Sequence, residues 1–306
     1  MFALHRRTAW GAAAIEASAW DFDSLNLEYC GSVVLPRLSS NLSRQSPTLF
    51  QFIDEGQALI YASAYSFYKV PLSTPYDILT ADLTAIPSSG TNAYASANIY
   101  QSALSAAQFL PDGRSVIGYY STSGSSNFRL LPLDIAFDPF GKQVADLVVQ
   151  TPSRVVTGPY HVQFSSNGLS FFTFPNNSSQ YELYKFSLTE PFNVSTLSLS
   201  VQSISISSLP RNDYGTGENY SGGFGSFAIA PDGLRLITCG DNVLRLWKLQ
   251  QPWDISRISF VKYRGFSTNI ASNISRVDVD PTSTFLYVYS DTTNAHRVVQ
   301  FAINRS

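Results

Sequence analysis

The chain has 306 residues and a formal net charge of −2, and only 14% of its residues are charged, well below the ~25% usual in soluble domains. A chain without a basic excess gives a phosphate backbone no attractive field, which excludes nucleic-acid binding as its main role. The length fits one large all-β domain or two medium ones, and an aromatic content of 14% favours strands over helices.

The first segment, residues 1–18, is a candidate docking arm. It carries Arg6, Arg7, Trp10 and Ile15, and a terminal arm that is ordered must dock on its own domain or on a partner. We favour a partner. The apolar stretch of this segment is short and contains an acidic residue, so we expect no cleaved signal peptide. Because the sequence has no run of about 18 apolar residues, we also expect no membrane insertion.

Five later segments repeat one pattern: an alternating apolar strand, a tight turn and a second apolar strand. In four of them the turn ends in Asp-Gly, Glu-Gly or Asn-Gly, and in the fifth a serine replaces the glycine. Asp-Gly or Asn-Gly between alternating apolar runs is a strong β-hairpin signal. The segments span residues 49–56, 106–113, 161–168, 226–233 and 276–283.

Three of these hairpins continue into a third strand that ends in Pro, an aromatic residue and Asp or Asn, at 75–77, 191–193 and 252–254. Proline ends the ladder, and the Asp or Asn side chain is expected to bind its own backbone. The second unit departs from the pattern at 133–140. We predict fourth strands at 83–86, 144–149, 197–206 and 258–263. Four antiparallel strands per repeat are typical of β-propeller blades.

The fifth unit runs into the end of the chain after its third strand, whereas an unassigned strand lies at 25–35. The sequence therefore predicts an all-β fold: a five-bladed β-propeller of four-stranded antiparallel blades, whose last blade is closed by the N-terminal strand. Such closure removes open sheet edges. One domain covers 19–306, with blades at about 46–97, 102–152, 158–208, 224–268, and 273–306 completed by 19–36.

The unit PDG…LWKLQQPWDIS at 231–256, with its relatives YKVPLSTPYDILTA and YKFSLTEPFNVSTL, resembles a β-propeller repeat of tailed bacteriophages. The resemblance covers about 46–306, and 20–35 through the closing strand. It implies a virion component, in the tail or a tail fibre.

Five-bladed propellers also include glycosidases, which need two carboxylates flanking the scissile bond. The inner strands instead place amides and one carboxylate at their middle polar positions, with alanine in the fourth: Gln51, Gln108, Gln163, Ala228 and Asp278. Amides do not titrate and cannot act as general acid or base. We interpret this axial polar ring as structural, with the amides bonding one another and trapped water. His161 is interpreted as a hydrogen-bonded core residue, since no partnered nucleophile is evident.

The insert before blade four, residues 211–225, is the most unusual loop. It gathers aromatic, amide and acidic side chains on a glycine-rich frame, which suits a contact with a sugar or a protein. A loop that packs on the propeller or on a neighbouring subunit remains the alternative. The candidate contact residues are Asp213, Tyr214, Glu218, Asn219, Tyr220 and Phe224.

The chain shows no sign of a metal or cofactor site. Cys30 and Cys239 are too few for a disulfide framework and are expected to be buried free thiols, and the three histidines lie far apart in sequence. The functional hypothesis is a non-enzymatic, structural virion protein, assembled in the host cytoplasm, that forms a rigid platform for contacts with other tail, fibre or capsid proteins. The alternatives are a lectin-like propeller that binds a host-surface glycan and a capsid decoration protein.

Overall fold

The computed structural model describes residues 27–35, 49–63, 66–85, 103–122, 125–137, 147–149, 159–175, 182–206, 226–240, 243–266, 274–292 and 295–303. Five separate antiparallel sheets form a five-bladed β-propeller, which confirms the predicted fold.

Each sheet is one blade, and the strands are numbered in chain order. Blade one contains β2 (Leu49–Ile53), β3 (Ala58–Ser63) and β4 (Ser66–Pro71). Blade two contains β5 (Ala103–Phe109), β6 (Ser115–Thr122), β7 (Ser125–Pro132) and β8 (Leu147–Val149). Blade three contains β9 (Pro159–Phe164), β10 (Ser170–Pro175), β11 (Glu182–Leu188) and β12 (Leu197–Ser205). Blade four contains β13 (Ser226–Ile229), β14 (Arg235–Gly240), β15 (Val243–Leu249) and β16 (Ile258–Gly265). Blade five contains β17 (Ile274–Val279), β18 (Phe285–Thr292), β19 (Ala295–Ile303) and β1 (Leu27–Leu35).

Blade five is completed from the other end of the described chain, as predicted. Strand β1 pairs antiparallel with β19, with Leu27 opposite Ile303 and Leu35 opposite His296. A bulge between Tyr29 and Gly31 shifts the register once along this ladder. This pairing joins the first and the last described strands of the chain in one sheet.

The apolar core is divided into five layers, one between each pair of neighbouring blades. Ile60 packs with Phe109 between blades one and two, and Phe128 packs with Phe171 between blades two and three. The layer between blades five and one joins Tyr287 to residues of β2 and β3. Alternate side chains of a strand point to opposite faces, so each central strand contributes to two layers.

A glycine and an aromatic ring form one recurrent contact on the turn side of blades one to four. Gly56, Gly113, Gly168 and Gly233 have φ between 66° and 88°, and a Cβ atom at any of them would come within 2.7 Å of a ring atom. The rings belong to Tyr76, Phe137, Phe192 and Trp253. The backbone of each of these residues is also in the left-handed region, and its N–H donates to the carbonyl of the glycine that the ring contacts. Glycine is required at these turns because the ring occupies the space of a side chain.

Blade two keeps this contact although its sequence departs from the Pro-aromatic-Asp pattern. Phe137 has φ 55° and its N–H donates to the carbonyl of Gly113 over 2.8 Å. Ala136 stands where blades one, three and four have proline. Proline presets the turn but is not needed for it, since the left-handed aromatic residue and the glycine supply the geometry. In blade five, Ser283 takes the glycine position with φ 66°.

The Asp and Asn side chains behave as predicted, but blade one differs from expectation. Asp77 accepts from the Leu79 N–H, and Asp254 accepts from the Ser256 N–H. The fourth strand predicted at 83–86 is not formed over Leu83–Ala85, which is a 3₁₀ turn. Blade one therefore shows three strands within the described residues. The other predicted fourth strands correspond to β8, β12 and β16.

Candidate functional site

Three amides of the predicted polar ring bind the backbone of the next blade. Gln51 in β2 donates to the Phe109 carbonyl (3.1 Å) and accepts from the Phe109 N–H (2.8 Å). Gln163 in β9 makes the same pair of bonds with Ile229, both at 2.7 Å. Gln108 in β5 accepts from the Phe164 N–H at 3.0 Å. These bonds fasten blades one to two, two to three and three to four.

The partners of these amides differ from those in the sequence-based interpretation. We expected the amides to bond one another and water, but each reaches sideways to the neighbouring inner strand. An inner strand presents backbone N–H and C=O groups to the adjacent blade, and buried backbone groups must be paired. The amides are therefore part of the joint between blades.

Replacing Gln163 by methionine is expected to destabilise the propeller, because methionine keeps the side-chain length but pairs neither Ile229 group. Each buried polar group left unsatisfied costs about 1–3 kcal/mol. Ile229 is buried. The measurement is the free energy of unfolding in urea at neutral pH. Gln163→Glu is the matched control: it can accept from the Ile229 N–H but cannot donate to the carbonyl when ionised. An unchanged stability in Gln163→Met would contradict the role of the amide.

A second set of polar contacts at the inner strands, which we call the axial joint, consists of His161, Ser226, Arg276 and Asp278. His161 Nδ1 lies 2.8 Å from Ser226 Oγ, and Arg276 Nη2 lies 3.1 Å from His161 Nε2. Arg276 Nε donates to Asp278 Oδ2 at 2.7 Å, and its Nη2 also donates to the Phe50 carbonyl at 3.2 Å. The joint thus links inner strands β9, β13, β17 and β2, which belong to blades three, four, five and one.

Charge in the axial joint is set by burial. Burial, and then the Arg276 guanidinium, hold the pKa of His161 well below its ordinary value of 6.5. Burial raises the pKa of the Asp278 carboxyl, and Arg276 partly offsets this by attraction and a hydrogen bond. Burial also raises the pKa of the Cys239 thiol to about 12. At neutral pH the joint therefore contains a neutral imidazole and one ion pair.

The joint brings a serine, a histidine and an aspartate together, which the sequence did not suggest. Ser226 and His161 are 1% and 2% exposed, so a substrate has no direct access to the hydroxyl. The Asp278 carboxylate lies 3.8 Å from His161 Nε2 and is engaged by Arg276 instead. A catalytic histidine must also take up the serine proton, and the neighbouring guanidinium opposes that charge. The geometry favours a bridging role over nucleophilic catalysis.

Sequence reasoning found His161 and Asp278 but missed Ser226 and Arg276. Ser226 was interpreted only as the start of an inner strand, and Arg276 as the start of the fifth repeat. The interpretation of His161 as a hydrogen-bonded core residue agrees with its two contacts. Ala228, the fourth mid-strand position, lies in the apolar layer between blades four and five.

The other candidate residues lie outside the part of the chain that the structure describes. These are the insert residues Asp213, Tyr214, Glu218, Asn219, Tyr220 and Phe224, and the arm residues Arg6, Arg7, Trp10 and Ile15. Both remain predictions.

The cysteines are free, as expected, but only one of them is buried. Cys239 is buried beside the axial joint, whereas Cys30 is exposed on the closing strand β1, which corrects the expectation that both are buried. Within the described ranges, no three His, Cys, Asp or Glu side chains are grouped so that they could hold a metal ion. No helix there has the length and apolar character needed to cross a membrane.

Solved structures similar to this chain include a β-propeller domain, and all those described below have low sequence identity. The β-propeller domain of Cps50 (Swd1) from Myceliophteria thermophila aligns with 91% of this chain and 100% of its own, at 8% identity and a TM-score of 0.53. A protein from Lactobacillus plantarum covers 84% of this chain and 67% of its own (14% identity, TM-score 0.44). A proposed 6-phosphogluconolactonase from Bacteroides fragilis covers 83% and 65% (14% identity, TM-score 0.43). The Cps50 likeness shows the propeller fold alone.

No protein-family model and no curated protein matches the chain.

Proposed function

We propose that the protein is a non-enzymatic structural component of a tailed-bacteriophage particle, associated with the tail or a tail fibre. In this role the propeller is a rigid platform for contacts with other virion proteins. The observation that carries the platform proposal is that polar groups of the inner strands are used to join blades. Gln51, Gln163 and Arg276 all bind the backbone of another blade. Placement on a phage rests on the resemblance of the repeats.

A rigid ring suits a scaffold because a partner can bind it without ordering the chain first, which lowers the entropic cost of association. The surface of the propeller also exposes apolar side chains that a partner could contact. Tyr29, Val34 and Ile135 are 50%, 49% and 59% exposed. Tyr29 and Val34 lie on the outer strand of blade five, whereas Ile135 lies in the turn of blade two. Of these three, Tyr29 is of a residue type that is enriched at protein interfaces.

The test is density-gradient purification of intact particles from the source, followed by quantitative peptide mass spectrometry for this chain. A few to a dozen copies per particle would support a tail or fibre position, and hundreds would favour the capsid-decoration alternative. Isotopically labelled recombinant chain, added before the gradient, controls for adsorption. If the native chain is absent from particles, or if the labelled chain co-sediments equally well, the virion proposal is wrong. The glycan-binding alternative would then be tested on a glycan array.

A further inference from the structure

We propose that the axial joint makes the propeller acid-labile: it holds blades three, four and five together only while His161 is neutral, and protonation of His161 releases it. This inference concerns the ring itself and holds whether or not the protein belongs to a virion. It rests on the order of hydrogen bonds through the joint.

The first step is the tautomer of His161. A guanidinium has donors and no acceptor, so His161 Nε2, 3.1 Å from Arg276 Nη2, must accept and cannot carry a proton. The imidazole proton is therefore on Nδ1, where it is donated to Ser226 Oγ at 2.8 Å. The Ser226 hydroxyl is left to donate to the Phe227 carbonyl at 3.4 Å. The hydrogen bonds therefore run in one direction, from Arg276 of blade five through His161 of blade three to Ser226 of blade four.

The second step is the effect of one more proton. A proton on Nε2 would point at the Arg276 guanidinium, replacing an attraction by repulsion between two cations. The one carboxylate close by belongs to Asp278, whose Oδ1 lies 3.8 Å from Nε2 while its Oδ2 accepts from Arg276 Nε at 2.7 Å. At 3.8 Å Oδ1 is too far away to accept a hydrogen bond from Nε2. Bringing it closer requires the carboxylate to turn in its contact with Arg276, whose Nη2 also donates to the Phe50 carbonyl.

One further contact favours an imidazolium: a hydrogen bond with the Phe227 backbone raises the pKa of His161, but burial and Arg276 outweigh it. The Phe227 ring of β13 packs at a tilt of 38° against the imidazole, with ring centroids 4.8 Å apart, and Phe174 of β10 lies opposite His161 in the ladder. Cys239 of β14 is the cross-strand partner of Ser226, and its thiol is neutral because burial raises its pKa. Buried Arg245 of β15 adds a second positive charge near Cys239. The charged groups around His161 are therefore the guanidiniums of Arg276 and Arg245 and the carboxylate of Asp278.

The direction of the pH effect follows from linkage. Burial and Arg276 lower the pKa of His161 well below 6.5, so below pH 6.5 the unfolded chain binds a proton that the folded chain does not. Stability is fully present above pH 6.5 and is lost as the pH falls. Asp278 acts in the opposite sense at lower pH, because burial raises its pKa and the folded chain then binds its proton first.

The experiment isolates His161 by comparing a one-histidine protein with a no-histidine protein. The chain has three histidines, so the first protein is His5→Gln/His296→Gln and the second adds His161→Gln, whose amide can also donate to Ser226 and accept from Arg276. Urea unfolding is measured for both at pH 7.5 and 5.0. The unfolding constant of the one-histidine protein is expected to rise about 30-fold more than that of the no-histidine protein. Equal rises, within about threefold, would overturn the proposal.

A second measurement covers the case in which the no-histidine protein fails to fold. Imidazole ¹⁵N chemical shifts of the one-histidine protein report both tautomer and protonation. The expected result is a neutral, Nδ1-protonated ring down to pH 5, with proton uptake only as the folded signals are lost. A ring that titrates near its ordinary pKa while the protein stays folded would show that the joint tolerates the imidazolium, and the proposal would be wrong.

Discussion

Replacing Gly233 by alanine is expected to lower the free energy of unfolding by about 2–5 kcal/mol. A left-handed backbone costs a residue with a Cβ about 1–2 kcal/mol, and forcing extra atoms into a packed site costs typically 1–3 kcal/mol. Both apply at this position: Gly233 has φ 71°, and its Cβ would lie 2.6 Å from two ring atoms of Trp253. The ring is held by the bond from the Trp253 N–H to the Gly233 carbonyl (2.8 Å) and cannot easily withdraw.

The chain contains a matched control for this substitution. Gly265 ends β16 in the same blade, and a Cβ there would meet no atom within 4 Å. Gly265→Ala should therefore leave stability unchanged or raise it slightly, by up to about 1 kcal/mol through the unfolded chain. Chemical unfolding of both variants at one pH provides the comparison. Equal stability of Gly233→Ala and the wild type would mean that the ring does not occupy the side-chain space of the glycine.

The blades could be predicted from the sequence because their signals are local. A hairpin glycine, a proline and an aromatic residue recur at similar spacing, and each residue fixes its own turn. The pattern did not mark the turn of blade two, because it was defined by a proline that blade two lacks. The structure assigns the turn to the left-handed aromatic residue, Phe137, and its contact with Gly113. A search for an aromatic residue before Asp, without proline, would have found the turn.

The axial joint could not be predicted from the sequence, although two of its members were noted. His161 and Ser226 are 65 residues apart, and Arg276 lies 115 residues from His161. Whether these side chains come into contact depends on the offset of each inner strand along the propeller axis relative to its neighbours. The alternation of apolar and polar residues carries no information about that offset. The same limit explains the amides. The pattern placed Gln51 and Gln163 on the axial side but could not tell whether a side chain points to the channel or to the next strand.

Removing the charge of Arg276 is the second substitution with a large expected effect. Arg276→Met should cost about 3–5 kcal/mol, the range for breaking a buried ion pair by deleting one partner. Arg276 is 3% exposed. Its loss leaves Asp278 without its cation, His161 Nε2 without its donor and the Phe50 carbonyl without the bond from blade five. Urea unfolding at pH 7.5, where His161 is neutral, measures the effect.

Two further variants distinguish the loss of the axial joint from the effect of removing any charged side chain. Lys69→Met breaks the ion pair with Asp54, whose side chains are 40% and 44% exposed, and exposed pairs contribute only about 0.2–1 kcal/mol. Arg276→Met/Asp278→Leu removes both charges, and replacing a whole buried pair by apolar groups is far less costly than breaking it. We therefore expect the double variant to be more stable than Arg276→Met. If Arg276→Met lost no more stability than Lys69→Met, the axial joint would contribute little to closing the ring, and the apolar layers and the amide bonds of Gln51, Gln108 and Gln163 would hold the blades without it.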